Sequence, residues 1–307
     1  MRGTPAERGQ ELYTAVRKLR RSRFDLAIDL TDSRTSRFIL RMVSARTKIA
    51  YDPPEKPLGR WERQPANCLA KANGSGGRHY LHRYLAPLDA LGMPVRVRFP
   101  SIHPSPGQTG EADTLLGRHG LGPGSFIAIH AGASVKGRCW PPERFATAID
   151  DISRRAGLAC ALVGGPDEQE LALSVMQASR SPVVNLVGAM SLEILLAVLE
   201  RARLFLGNES GPMHMAAAAG TPVVGLFGLT EPSRWGPVGV PNIVVQPSMP
   251  CECIAPGICQ PPNVSKVCCV WRLDVASVVD AVCELLSRTR PTRISPETGY
   301  PADPGIR

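Results

Sequence analysis

The sequence predicts an α/β protein built on parallel sheet, and three observations carry that expectation. From residue 126 onward, short apolar runs recur at regular intervals: "FIAIHAG", "LACALVGG", "VVNLVG", "RLFLGN" and "PVVGLFG". The runs are continuous rather than alternating, as expected of strands covered by helices on both faces. The segments between them open on helix-start residues, near Pro142, Pro166, Ser191 and Ser210. Crossovers between such strands are expected to be right-handed.

The first hundred residues alternate in the same way. "ELYTAVRKLRR" sets Leu12, Val16 and Leu19 on one helical stripe. "FDLAIDL" (24–30) is a strand pattern, "SRTSRFILRMVS" a helix and "TKIAYD" a second strand. Residues 52–78, with Trp61 and the run "ANGSGG", predict a surface excursion with little regular structure. "HYLHRYLAPLDALG" is a helix ending at Gly92, and "PVRVRFPSIHPSPGQTG" an extended link. "NIVVQP" and "RLDVASVVDAVCELLSR" supply the last strand and helix, and "PTRISPETGYPADPGIR" has the composition of a disordered tail. The expected organisation is therefore an N-terminal α/β domain over 1–106, a second over 107–287, and a tail over 288–307.

A chain of 307 residues, 43% apolar and 21% charged, accommodates two cores. No run approaches the roughly 18 apolar residues of a membrane-spanning helix. The opening "MRGTPAERGQELYTAVRKLRR" lacks the apolar centre of a secretory signal, so a cytoplasmic location is expected. The net charge of +9 is uneven: residues 1–100 hold 20 Lys and Arg against nine Asp and Glu, while the remainder hold 16 against 18. A basic N-terminal half suits an anionic partner, the alternative being a solubilising arginine surface. Of nine cysteines, Cys68, Cys139, Cys160 and Cys283 are scattered, and five crowd into "CECIAPGICQPPNVSKVCC". Cys251, Cys253, Cys259 and Cys268 are candidate metal ligands there, against a loop of reduced thiols. The cluster's C-x-C and C-C spacings differ from the usual C-x₂-C knuckle.

Ligands of an open parallel sheet lie beyond the carboxyl ends of its strands. Four loops at that edge stand out: "HAGASVKGRCWPPERF" (130–145), "GGPDEQE" (164–170), "GAMSLE" (188–193) and "GNESGPMH" (207–214). In the last, Ser210 is placed to cap a helix and Pro212 fits its first turn. The free amides of that turn and the positive end of the dipole favour an anion. Gly211 would permit close approach of a ligand. Lys136 and Arg138 add full positive charge, and the carboxylates of Glu168 and Glu209 suit vicinal hydroxyls of a sugar or ribose. Together these residues describe a pocket for a nucleotide-diphosphate sugar. The plainer alternative is an ordinary helix start, with Glu209 reinforcing the dipole. No G-x-G-x-x-G follows a strand and no Walker A sequence occurs, which argues against hydride transfer and ATP hydrolysis.

"HAGASVKGRCWPPERFA", "LVGGPDE" and "GAMSLEILLAVLERARLFLGNESGPMHMAAAAGTPVVGLFGLTEPSRWGP" resemble the ADP-heptose:lipopolysaccharide heptosyltransferases, glycosyltransferase family 9, over about residues 10–287. The resemblance implies a GT-B architecture, two Rossmann-like domains with parallel sheets. It implies inverting transfer of heptose from an ADP-heptose donor to an anionic lipopolysaccharide core acceptor, without a catalytic metal or other cofactor, and with peripheral contact at the inner membrane. It assigns pyrophosphate binding to Arg138, with Lys136 beside it in the same loop as Ser134. It assigns nucleotide contact to Glu168, adenine packing to Met190, and the helix-start motif to Glu209, Ser210, Gly211, Pro212 and His214. The family's N-terminal strand and Gly-Asp loop, which carries its catalytic base, have no counterpart here, since "GD" does not occur in the first hundred residues. The N-terminal domain is thus expected to be incomplete, with Asp32 the nearest candidate base and helix capping its alternative role. Competing readings are a nucleotide-sugar epimerase of similar architecture, which would prefer a UDP-sugar, and a non-catalytic nucleotide-binding remnant. A nucleic-acid partner is not expected, for want of a recognisable motif.

Overall fold

The computed structural model describes residues 5–52, 66–71, 79–95, 99–228, 230–247 and 269–289. Its contacts divide the chain into two units, Met1–Arg98 and Phe99–Arg307. The cysteine cluster from Cys251 to Cys268 and residues 290–307 of the expected tail lie outside the described residues, while Arg288 closes the last helix.

Unit 1 contains α1 (Pro5–Arg21), β1 (Arg23–Ile28), α2 (Arg34–Met42), β2 (Ser44–Asp52), β3 (Cys68–Lys71) and α3 (Tyr80–Ala90). The three strands form a parallel sheet in the order β1-β2-β3. Strand β3 corrects the expectation of an irregular excursion over 52–78. "CLAK" is too short and mixed to read as a strand alone, but it pairs with β2 from Ile49↔Cys68 to Asp52↔Lys71. Its Ala70 is buried beside Ile49 and Tyr51. Tertiary pairing overrides weak local preference here.

Unit 2 contains α4 (Pro106–Gly117), β4 (Phe126–His130), α5 (Pro142–Ala156), β5 (Ala159–Leu162), α6 (Gln169–Ala178), β6 (Val183–Asn185) and α7 (Leu192–Arg201). It continues with β7 (Leu204–Asn208), α8 (Gly211–Ala218), β8 (Val223–Leu226), α9 (Pro232–Trp235), β9 (Asn242–Val245) and α10 (Val275–Arg288). Helix α4 is a second correction, since its start falls in the segment expected to be an extended link. Ser105 accepts from the Gln108 amide while the Gln108 side chain returns to the Ser105 N–H, a capping box with Pro106 at the first turn.

Among the described residues, the six strands of unit 2 run parallel in the order β6-β5-β4-β7-β8-β9. The chain starts in the middle at β4, proceeds to one edge, then returns to β7 and proceeds to the other. Successive side chains of β4 enter opposite cores. Ile127 and Ile129 meet the layer of α5 and α10, whereas Phe126 and Ala128 meet the layer of α4, α7 and α8. Leu204 and Leu206 of β7 take the first side and Phe205 the second. Each large side chain buried this way contributes about 1.5–3 kcal/mol. The two-faced core explains why the strands read as unbroken apolar runs. It also fixes β4 and β7 side by side at the point where the strand order reverses, so a crevice opens beyond their carboxyl ends.

Candidate functional site

The carboxyl ends of β4 and β7 are tied together by Asn208. Fully buried, it accepts the Trp140 N–H through Oδ1 (3.0 Å) and donates through Nδ2 to the carbonyls of Ala131 (2.7 Å) and Gly132 (3.4 Å). Trp140 is itself buried, edge-on to Phe145, with its indole N–H donated to the Leu273 carbonyl at 3.2 Å. The loop from His130 to Trp140 is therefore anchored at both ends, with Lys136–Arg138 forming a single 3₁₀ turn between them.

A cavity of about 650 Å³ lies over this junction. Its walls include Ser134, Arg138, Glu168, Met190, Glu209, Ser210, Gly211, Pro212 and His214, so the four loops singled out above converge on one space. The side chain of Lys136 lies outside the described residues. Met190 is half-buried against the α4–α7–α8 core, and His214 is exposed on the first turns of α8. Trp235 and His130 also line the cavity and were not anticipated.

Arg138 donates from Nη1 to Glu209 Oε1 at 3.4 Å. Its Nε–H is buried with no acceptor among the described residues. Glu209 is largely buried, and its second oxygen accepts the Thr230 hydroxyl. In this arrangement Glu209 holds the guanidinium at the cavity wall. Ser210 stands at the N-cap of α8, yet its side chain makes no capping bond, which corrects the expectation that it caps the helix. Its hydroxyl lies instead 3.0 Å from His130 Nδ1. Ser210 therefore satisfies none of the first-turn amides of α8, and a helix end of this kind attracts anions.

The other ring nitrogen of His130 lies 3.0 Å from Glu168 Oε2, which also accepts the Gly165 N–H at 2.9 Å. Two glycines make room for this carboxylate. A Cβ on Gly132 would fall 1.7 Å from Glu168 Oε1, and one on Gly164 2.3 Å from Oε2. Burial alone would raise the Glu168 carboxyl, but the hydrogen bond and charge of His130, with the Gly165 amide, hold it below the usual glutamate range. A depressed folded value means that the carboxylate contributes stability above the ordinary range and loses it as pH falls through the lowered value. Glu168→Gln is therefore expected to blunt the loss of stability on acidification below about pH 4. Urea titrations of both proteins check this, and identical acid sensitivity would contradict it.

Asp32, the candidate base, lies in unit 1, buried and in a left-handed backbone conformation (φ 51°). Its Oδ1 accepts from Arg37 Nε at 3.0 Å and its Oδ2 from Arg83 Nη2 at 2.7 Å. Abstracting a proton would require displacing a guanidinium. Capping of α2 falls to Ser33, which accepts from the Ser36 amide, rather than to Asp32.

Among the described residues no group of three or more His, Cys, Asp or Glu is arranged to hold a metal, and no helix is long and apolar enough to cross a membrane. In doubly wound domains, a cavity at the switch point beyond the carboxyl ends of the strands is where ligands are received. Residues 13–254 match glycosyltransferase family 9 (heptosyltransferase), and the chain belongs to that family. Lipopolysaccharide heptosyltransferase 3 of Escherichia coli is 28% identical over 235 residues, 76% of this chain and 67% of the relative. Its counterpart in strain K12 is 28% identical over 232 residues, 74% and 65% respectively, so the match spans about two thirds of these relatives. A solved glycosyl transferase family 9 structure from Veillonella parvula superposes with a TM-score of 0.73 at 21% identity, covering 94% of this chain and 81% of that one. The structure of E. coli ADP-heptose lps heptosyltransferase II gives 0.67 at 18%, covering 91% and 81%. These structures share the fold.

Proposed function

We propose that unit 2 binds an ADP-sugar, with ADP-heptose as donor, and that the protein transfers the sugar with inversion to an anionic acceptor of the lipopolysaccharide core. One observation carries this reading. Arg138, the uncapped start of α8 and Glu168 line the same cavity at the reversal of strand order. The diphosphate would lie against the amides of Gly211 and Met213, with Arg138 beside it. Ribose hydroxyls would reach Glu168, whose Oε1 has no hydrogen bond to the described residues. Met190 would pack on the adenine. When the acceptor oxygen attacks the anomeric carbon, the departing diphosphate gains charge, which fixed donors stabilise by on the order of 3–4 kcal/mol each in characterised sites. The excess of basic residues in the first hundred positions supports an acceptor bearing phosphates or carboxylates. We assign Asp32 to bracing α2 and α3 through Arg37 and Arg83 rather than to proton abstraction.

Membership of the heptosyltransferase family, with relatives named as lipopolysaccharide heptosyltransferases, supports the choice of sugar and acceptor. Calorimetry with ADP and UDP, followed by transfer from ADP-heptose to lipopolysaccharide core acceptors, tests the reading. Tighter binding of UDP would overturn the donor assignment. Gly211→Ala supplies a structural control, because a Cβ there meets nothing within 4 Å. The melting temperature should stay within about 1 °C while ADP affinity drops several-fold, the added methyl touching only the ligand.

A further inference from the structure

We propose that His130, steadied by Glu168, is a positioning residue that sets the direction of the Ser210 hydroxyl, so that anion binding at α8 depends on the protonation of this ring. The proposal rests on the diphosphate reading above and deepens it. Its logic is a donor count over three side chains. An ionised Glu168 can only accept hydrogen bonds. Its Oε2 lies 3.0 Å from His130 Nε2, so Nε2 carries a hydrogen in both protonation states of the ring. Nδ1, 3.0 Å from Ser210 Oγ, is the variable position. In the neutral ring Nδ1 is a bare acceptor. Ser210 then gives it the hydroxyl hydrogen and turns an oxygen lone pair to the cavity. In the imidazolium, Nδ1–H donates to Oγ, and the hydroxyl hydrogen is released toward the cavity. An anion at the first turn of α8 meets repulsion in the first state and a donor in the second.

Three features of the chain agree with this role. Ser210 leaves α8 uncapped, committing its hydroxyl to the ring instead. Gly132 and Gly164 keep the space in which the Glu168 carboxylate presses on His130, and a Cβ on either would displace it. His130 is only 3% exposed, so water has little access to replace either bond. Among the described residues, the other charged or titratable groups around the cavity are Asp167 beside Glu168, Arg138 paired with Glu209 just after β7, and His214 on α8. His214 is the other imidazole, and the test separates the two.

The experiment is the affinity for ADP-ribose by calorimetry between about pH 5 and about pH 8, the interval in which imidazoles serve as switches. ADP-ribose is chosen because both of its phosphates are diesters whose charge is constant across that interval. Binding should be roughly tenfold tighter at the acid end, the value of one hydrogen bond to a charged group. The dependence should persist in His214→Gln and Ser210→Thr and be largely lost in Ser210→Ala and in His130→Gln. Ser210→Ala removes only a hydroxyl, so it decides the matter if His130→Gln unfolds, and melting curves of each variant establish which are folded. A flat profile in the unsubstituted protein, an unchanged slope in Ser210→Ala, or a slope abolished only by His214→Gln overturns the proposal while leaving the diphosphate reading intact. Absence of ADP-ribose binding at every pH overturns both.

Discussion

Arg138→Ala should weaken ADP binding by about 10- to 150-fold, the range set by 1.5–3 kcal/mol for hydrogen bonds to a charged group. Two effects add. The guanidinium that would face the diphosphate is removed, including an Nε–H that is buried without an acceptor among the described residues. Glu209 then keeps its Thr230 contact but loses its cation, and a largely buried carboxylate is left at the wall of an anion site. Arg138→Lys should restore only part of the affinity, since a compact ammonium cannot hold Glu209 and a phosphate in one plane. Calorimetric titration of ADP into the three proteins provides the comparison. Equal affinities for the wild type and Arg138→Ala would remove the diphosphate from this end of the cavity.

Asn208→Ala should cost about 3–4 kcal/mol of stability. The side chain bridges three backbone groups of the loop that leaves β4, and all three would be stranded in the interior. Asn208→Asp separates donor from acceptor. The carboxylate still accepts the Trp140 N–H, but it faces the Ala131 and Gly132 carbonyls with a negative charge in place of an N–H. It should therefore be nearly as damaging as alanine. Denaturant titration gives the difference, and a loss below about 1 kcal/mol for either variant would mean that water replaces the amide easily.

Much of unit 2 was legible because its strands are buried on both faces. "FIAIH" and "RLFLGN" read as strands since every position along them is inside, whichever core it enters. The short "CLAK" carries no comparable signal, because its only strong reason to be extended is the neighbouring β2. Helix α4 was readable but obscured: Pro and Gly around 104–110 suggest a link, whereas Ser105 and Gln108 at the spacing of a capping box mark a helix start. The loops of the site were found from their position at strand ends, and their residues do line one cavity. His130 was missed because Glu168 and Ser210 are 38 and 80 residues away, beyond any local spacing rule. The available signal was a polar, ring-bearing residue closing an otherwise apolar central strand. Ser210 was misread for the same reason, since its partner is distant and the nearby amides offered a simpler explanation.

Because the cavity draws its walls from segments between His130 and Trp235, it exists only once β4, β5 and β7 have assembled. Anything seated there binds the assembled state and not its parts. By mass action, a ligand at a hundred times its dissociation constant would add about 2.7 kcal/mol to the free energy of unfolding. Occupancy would thus be felt in α5 and α10, on the far side of the sheet from α8, as slower amide exchange without any change in their own contacts.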